Sequence, residues 1–304
     1  MILKFNKINI TPYIGELTID SSLTDIYKTI NFTLPFKYIK ENSLKEGMKV
    51  SLEDGREKFF EGICLKYDDE NNDVGKFMCV NYMWYLTVYE ETFQINGSAK
   101  EAINKVVNAF DSSLEIQIES SEFNIKINKI YYETSLESII KDILSQVTAT
   151  SSNKYYLIDE NGKFKIVKNL GEIKLNLKHI SDLRRTFDIS NIKNQIKVIS
   201  ATSNKINELV IEKDSKSISE IGTIQKTSNV KSTNKSQAKN QALKLLKLYK
   251  NTNKTVSFTV LGNFGIKIGH LTKITEMTYL INAVKHEVKE GIFTTKLSLE
   301  AYYE

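Results

Sequence analysis

Glu46-Gly47-Met48-Lys49-Val50-Ser51-Leu52 and Ile268-Gly269-His270-Leu271-Thr272-Lys273-Ile274 are the two stretches on which the fold turns, because the chain after the second repeats the order after the first. Leu52 is followed by a strand ending near Tyr67, a turn, Gly75, and a strand running to Tyr82 and Tyr85; Ile274 is followed by a strand to Val288, a turn, Gly291, and a strand running to Tyr302 and Tyr303. Side-chain identity between the two is weak, but order and approximate lengths match, and self-similarity of this kind changes the whole fold expectation. The expected class is α+β, mainly β, with two similar β-barrel domains flanking a small two-helix α+β domain. The boundaries are 1–94 for the first barrel, 95–175 for the α+β domain, and 176–304 for the second barrel with an inserted helix near 235–250. A trimer of such chains would present six similar units in a ring, and heterologous contacts close such rings.

Outward from these stretches the local patterns agree with that division. Ile8-Asn9-Ile10 before Pro12 and Ile30-Asn31-Phe32-Thr33-Leu34 before Pro35 alternate as strands do, and Phe59–Leu65 and Phe77–Tyr82 flank the acidic turn Asp68-Asp69-Glu70-Asn71-Asn72-Asp73. At Ser98-Ala99-Lys100-Glu101 the texture changes to a capping box, followed by Ala99, Ala102, Ile103, Val106, Val107 and Phe110 at helical spacing. Thr134-Ser135-Leu136-Glu137 starts a second helix with the stripe Leu136, Ile139, Ile140, Ile143, Leu144 and Val147. Tyr155–Ile158 and Phe164–Val167 spell a hairpin about Asn161-Gly162. Strands return after Asp182, a polar stretch runs from Asp214 to Ser236, and one helix buries Ala238, Ala242, Leu245, Leu246 and Tyr249 while wetting Lys235, Lys239, Lys247 and Lys250. Phe293, Thr295, Leu297, Leu299 and Ala301 alternate along the final strand.

Composition bounds the rest. At 304 residues, 41% hydrophobic and 26% charged, the chain has enough for two or three self-sufficient cores. No run approaches the ~18 apolar residues of a membrane span, and the start alternates rather than resembling a signal peptide, so cytoplasmic assembly and no membrane partner are expected. Cys64 and Cys79 would face each other across the hairpin at Asn71-Asn72, and in a reducing compartment two buried thiols are expected rather than a disulfide. The +5 net charge is carried by lysine, with arginine only at Arg56, Arg184 and Arg185, which leaves few guanidinium forks for reading bases. The wealth of Lys, Asn, Ile and Tyr reads as A/T-rich codon bias.

Chemistry is sought and not found. His179, His270 and His286 are too far apart for a local ligand spacing, no Gly-x-Ser-x-Gly or His-Glu-x-x-His occurs, and Gly262, Gly265 and Gly269 lack the spacing of a phosphate loop. Asp68, Asp69, Glu70 and Asp73 lack the glycine and closing glutamate of an EF-hand and read as a solvated tip. Glu90-Glu91 would point to opposite faces of a strand, which argues against a glycosidase pair. Residues 221–275 hold ten lysines and no acidic residue, a stretch weighed as a solvated or partner-facing surface ahead of nucleic-acid binding. No catalytic residue, metal ligand or cofactor is assigned.

The whole chain also resembles a family, the XkdQ/YqbQ-type baseplate hubs of contractile phage tails and tail-like (R-type) bacteriocins, related to the late control protein D hubs. The resemblance rests on Ile8–Gly15, on Ser135–Val147 followed by Lys154–Ile158 and Gly162, on Ile189-Ser190-Asn191-Ile192-Lys193-Asn194-Gln195-Ile196-Lys197-Val198, and on Gly262–Gly269. Position 270, often polar or acidic in such hubs, is histidine here. The resemblance implies a non-enzymatic homotrimer between the six-fold tail tube and the three-fold central spike, with wedge proteins and the tape measure protein as further partners. It also implies nucleic acid only as passing cargo, and a final location in a virion or released particle. The inter-subunit surfaces are expected on edge strands at Gly47, Val50 and Leu52 and at Gly269, Leu271 and Ile274. The competing readings are a tail-associated cell-wall hydrolase and a lysine-rich nucleic-acid-binding protein.

Overall fold

The computed structural model describes the chain except residues 56, 71–72, 112–115, 119, 152, 161–162, 203–204, 231–233 and 304. The first part contains β1 (Ile2–Phe5), β2 (Ile8–Asn9), β3 (Glu16–Ser22), β4 (Thr29–Pro35), α1 (Phe36–Glu41), β5 (Lys49–Asp54), β6 (Glu57–Glu70), β7 (Val74–Asn81) and the single turn α2 (Tyr85–Val88). The middle holds β8 (Glu90–Ser98), α3 (Ala99–Phe110), β9 (Ile116–Ile118), β10 (Lys126–Ser135), α4 (Leu136–Ser151), β11 (Tyr156–Glu160) and β12 (Lys163–Val167). The last part runs β13 (Ser181–Asp188), β14 (Gln195–Thr202), β15 (Lys205–Lys213), α5 (Ser215–Ile221), β16 (Gln225–Asn229), α6 (Lys235–Tyr249), β17 (Asn253–Leu261), β18 (Leu271–Ile274), β19 (Met277–Lys289) and β20 (Ile292–Ala301). The class is mainly β with helices, as expected, and no closed barrel is found among the described residues.

Twelve of the strands form one sheet in the order β13-β17-β20-β19-β3-β4-β7-β6-β5-β1-β2, with β18 alongside β19, and the others form the small sheets β10-β8, β11-β12-β9 and β15-β14-β16. The first and last β regions are therefore continuous with each other, joined where β3 pairs antiparallel with β19 from Ser22↔Ala283 to Glu16↔Lys289. Alternation puts Leu17, Ile19, Ile30, Phe32, Leu52, Phe60 and Phe77 into one core. Val256, Phe258, Val260, Ile281, Leu297 and Leu299 enter a second. The turns expected at Asn71-Asn72 and Asn161-Gly162 lie outside the described residues, but the strands they would join, β6 with β7 and β11 with β12, pair antiparallel.

Contacts group the chain into two compact units. One comprises Met1–Lys141, Tyr155–Arg184 and Val256–Glu304; the other comprises Asp142–Lys154 and Arg185–Thr255. In the first, the capping box forms as read: Glu101 N–H donates to Ser98 Oγ at 3.2 Å and Ser98 N–H to the Glu101 carboxylate at 2.8 Å. In the second, β14 lies between antiparallel β15 and parallel β16. Ala238, Ala242, Leu245 and Leu246 of α6 pack there with Ile196 and Val198, leaving Lys235, Lys239, Lys247 and Lys250 exposed. Fully buried Asn194 ties this unit together: its amide nitrogen donates to the Gly222 carbonyl at 2.7 Å and Ser217 Oγ at 3.2 Å, and its carbonyl accepts from Ile224 N–H at 2.7 Å. A buried amide is tolerated only when satisfied in this way, which accounts physically for Asn194 within the Ile189–Val198 segment.

Candidate functional surfaces

The two glycines quoted first sit in matching places. Gly47 and Gly269 have φ of +79° and +85°, the left-handed region that an L side chain rarely adopts. Gly47 N–H donates to the Cys64 carbonyl at 2.8 Å, and Cys64 N–H returns to the Met48 carbonyl at 2.9 Å. Gly269 N–H donates to the Ile281 carbonyl at 2.9 Å, and Ile281 N–H returns to the His270 carbonyl at 2.8 Å. The correspondence continues across the next strand. Cys64 pairs with Cys79 and the register then shifts to Lys66↔Met78, while Ile281 pairs with Leu299 and the register shifts to Ala283↔Ser298. Each strand thus inserts one bulge residue, Leu65 or Asn282, directly after the paired position. A bulge bends a strand and strengthens its local twist, so the two sets of strands curve at the same point. In sheet order, β3-β4-β7-β6-β5 matches β13-β17-β20-β19-β18, and the second unit's Arg185–Thr255 segment is inserted where the first set has only the short link from Ser22 to Thr29.

This geometry corrects one expectation about the interface residues. β5 is not an edge strand: it pairs with β1 on one side and β6 on the other, so both backbone rows are used. Val50 and Leu52 are buried in the core, while Gly47 is exposed at the turn before them. β18 is closer to the expected edge. It pairs with β19 along Leu271–Ile274, with only a bridge from Glu172 to Leu271 on its other side, Leu271 being buried and Ile274 half-buried. The edge that sequence reading missed is β13, which ends the sheet. Seven of its eight residues are exposed, including Leu183 at 47% and Phe187 at 68%. The available signal was the adjacent pair Arg184-Arg185 in a chain otherwise almost without arginine.

Cys64 and Cys79 face each other as read, and both are free and buried. Because the Cys64 backbone bonds toward β5, the two form a non-hydrogen-bonded pair, the arrangement in which cross-strand side chains come closest. A hydrogen bond from the Cys79 thiol holds Cys64 below the usual thiol range, and burial pushes Cys79 up. His179 is exposed and His270 half-buried at the Gly269 turn. His286 is buried, with Nδ1 3.0 Å from Thr295 Oγ1, and burial lowers its pKa to about 4. Among the described residues no group of three or more His, Cys, Asp or Glu is placed to hold a metal.

A polar concavity of about 450 Å³ lies on β3, β17, β19 and β20 and is lined in part by Asp20, Ser22, Tyr27, Ser257, Lys285 and Lys296. Burial raises the Asp20 carboxyl above its ordinary range, with Lys285 opposing. No helix among the described residues is long and apolar enough to cross a membrane.

The fold is shared with known structures. A tail protein from Neisseria meningitidis MC58 is 12% identical with a TM-score of 0.70, the alignment covering 98% of this chain and 95% of that one. The 43 kDa tail protein of prophage MuSo2 from Shewanella oneidensis is also 12% identical at 0.70, covering 98% and 97%. An E. coli component of the type VI secretion system, described as structurally similar to the T4 bacteriophage tail proteins gp27 and gp5, is 10% identical at 0.58, covering 100% and 78%. Among curated proteins nothing matches. The YQBQ-like family model matches residues 18–300, which takes in both sets of strands and everything between them, and the chain belongs to the YQBQ-like family.

Proposed function

We propose that the chain is the structural hub of a contractile tail baseplate, a trimeric symmetry adapter joining a six-fold tail tube to a three-fold central spike. The observation that carries this is the repeated turn, bulge and strand order of β3–β7 and β13–β20 within one continuous sheet. A chain with two like units is what a three-copy ring needs in order to offer six like sites, since closed heterologous rings require each copy to present complementary, non-identical surfaces. Membership of the YQBQ-like family and the fold shared with phage and prophage tail proteins support the same reading. The two strand sets are then the barrel-like repeats of 1–94 and 176–304, completed on assembly, with 95–175 between them. The tube, spike, wedge and tape measure proteins are the partners. Gly47 and the Lys273–Ile274 end of β18 lie at the surfaces where subunits meet, backed from the core by Val50, Leu52 and by Gly269 and Leu271, which are buried. The role is mechanical, assembly is cytoplasmic, and the finished place is the particle. Antibody against the chain, applied to particles from the same cells, is expected to label the tail tip; label distributed along the sheath or absent from particles contradicts the reading.

A cell-wall hydrolase is the second reading, favoured by the raised Asp20 carboxyl in its polar groove. It requires clearing of a cell-wall suspension that is lost in Asp20→Asn, whereas the hub reading expects no clearing by either protein.

A further inference from the structure

Every cysteine of the chain is in one place. Cys64 on β6 and Cys79 on β7 are the two in the sequence, and they stand directly opposite each other. The matching position in the other set of strands holds Ile281 opposite Leu299, both fully buried. Burial at this point therefore asks for apolar side chains and does not ask for two thiols. The register suits a bond. In a non-hydrogen-bonded antiparallel pair the Cα atoms are about 4.5 Å apart, inside the roughly 4.4–6.8 Å that a disulfide spans. Two residues back on β6, a Cβ on Gly62 would run into the Val80 carbonyl oxygen, so the strands approach closely just before the pair. The two thiols are already hydrogen-bonded to each other, and the Cys64 thiol also donates to the Lys66 carbonyl at 3.4 Å.

We propose that Cys64 and Cys79 form a reversible covalent staple across β6 and β7, open in a reducing compartment and closed by exchange with a small disulfide outside it. The staple stands apart from the hub reading; only the timing of its closure, on release of the particle, rests on that reading.

Both sulfurs lie in the core with Ile30, Phe32 and Phe77, where a thiolate is disfavoured, so exchange runs through local opening of the strands. The bulge at Leu65 interrupts the ladder beside Cys64 and gives that opening its starting point. On opening, Cys64 gives its proton to solvent, and its thiolate attacks one sulfur of the small disulfide. That S–S bond breaks, one thiolate leaves, and a mixed disulfide remains on Cys64. Cys79 then loses its proton, attacks the Cys64 sulfur and expels the second thiolate. The pair loses two electrons, the small disulfide gains them, and the two protons end on the two released thiols. Closure ties off residues 65–78 as a covalent loop, which restricts the unfolded chain, and burial then keeps reductants from the bond. Only the first set of strands is held in this way, since Ile281 and Leu299 cannot be joined.

The full chain, purified under reductant and then freed of it, is treated with oxidised glutathione. The expected product is lighter by about 2 Da, yields a peptide cross-linked between Cys64 and Cys79, keeps its far-ultraviolet circular dichroism and is fully reversed by dithiothreitol. Closure is expected to raise the urea midpoint and to slow amide exchange in β6 and β7 by about tenfold or more. Cys64→Ala, the control for the oxidant itself, should show neither change. Free thiols in the treated chain, glutathione left on either cysteine, or a closed pair with a lowered midpoint overturns the staple. Thiol trapping then reads the timing, with the pair expected open in chain taken from the cytoplasm and closed in released particles. Particles that carry the chain with the pair open overturn the timing and leave the staple; particles without the chain overturn the hub reading, and the timing with it.

Discussion

Phe77→Ala is expected to lower the unfolding free energy by about 3–5 kcal/mol, read as a fall in the urea midpoint at unchanged slope. Phe77 is 1% exposed. It stacks on Phe32 at 5.2 Å and Tyr67 at 4.8 Å between ring centroids and meets the edge of Phe5 at 5.1 Å. Removing the ring leaves a void lined by three aromatics anchored on β1, β4 and β6, none of which can collapse into it without moving its strand. Leu297 holds the matching place in the second set of strands, and Leu297→Ala is expected to cost about 2–5 kcal/mol. The core of Ile196, Val198, Ala238, Ala242, Leu245 and Leu246 is separate. Hydrogen exchange in Phe77→Ala should therefore quicken in β4, β6 and β7 and leave β14 and α6 unchanged. A loss below about 1 kcal/mol, or equal quickening in α6, would contradict this division of cores.

Acid is expected to remove about 3 kcal/mol of stability through His286 alone. Thr295 Oγ1 accepts from Asn263 N–H at 3.1 Å and lies 3.0 Å from His286 Nδ1, so a polar partner is at hand for one ring nitrogen. Phe264 and Phe293 pack around the ring at 5.1 and 5.9 Å between centroids. Lys28, Lys267 and Asp159 are the charged groups lining the same small cavity. Burial, reinforced by Lys28 and opposed by a hydrogen bond to the Ile266 backbone, lowers the pKa from 6.5 to about 4. Above pH 6.5 the histidine is neutral in both states and costs nothing. As pH falls from 6.5 toward 4 the unfolded chain gains a proton that the fold refuses, so stability declines across that window and levels off below it. Compared with wild type, His286→Phe should lose this component, so that the stability difference between the two proteins changes by about 3 kcal/mol between pH 7 and pH 4. Parallel curves would mean that the folded ring takes up a proton freely.

Much of the local structure was legible because it follows from short-range rules. The α3 capping box, the α6 stripe with its four wet lysines, the cysteine register and the alternation of β20 all appear where the pattern put them. The repeat was legible in outline, because a glycine with positive φ must precede each of the two strands. What the sequence could not display was pairing at long range. The β3–β19 junction joins residues more than 250 positions apart, and nothing in the alternation of Leu17 and Ile19 names Val288 and His286 as their partners. For the same reason β5 reads as an edge in the sequence, since its second neighbour, β1, lies far back in the chain. The polar stretch 214–236 hid α5 and β16. None of the α5 residues is buried, and β16 carries Gln225-Lys226-Thr227-Ser228-Asn229, held by its ladder to β14 rather than by apolar burial. β13 was obscured by its exposure, since a strand with seven of its eight residues exposed has no core face toward which to alternate.

Negative-stain electron microscopy of the purified chain, alone and with its candidate spike partner, tests the central claim most directly. A ring of three-fold symmetry with six similar lobes is expected, the lobes being the two strand sets of each copy. Compact single particles in both samples, or a ring whose lobes number only three, would contradict it.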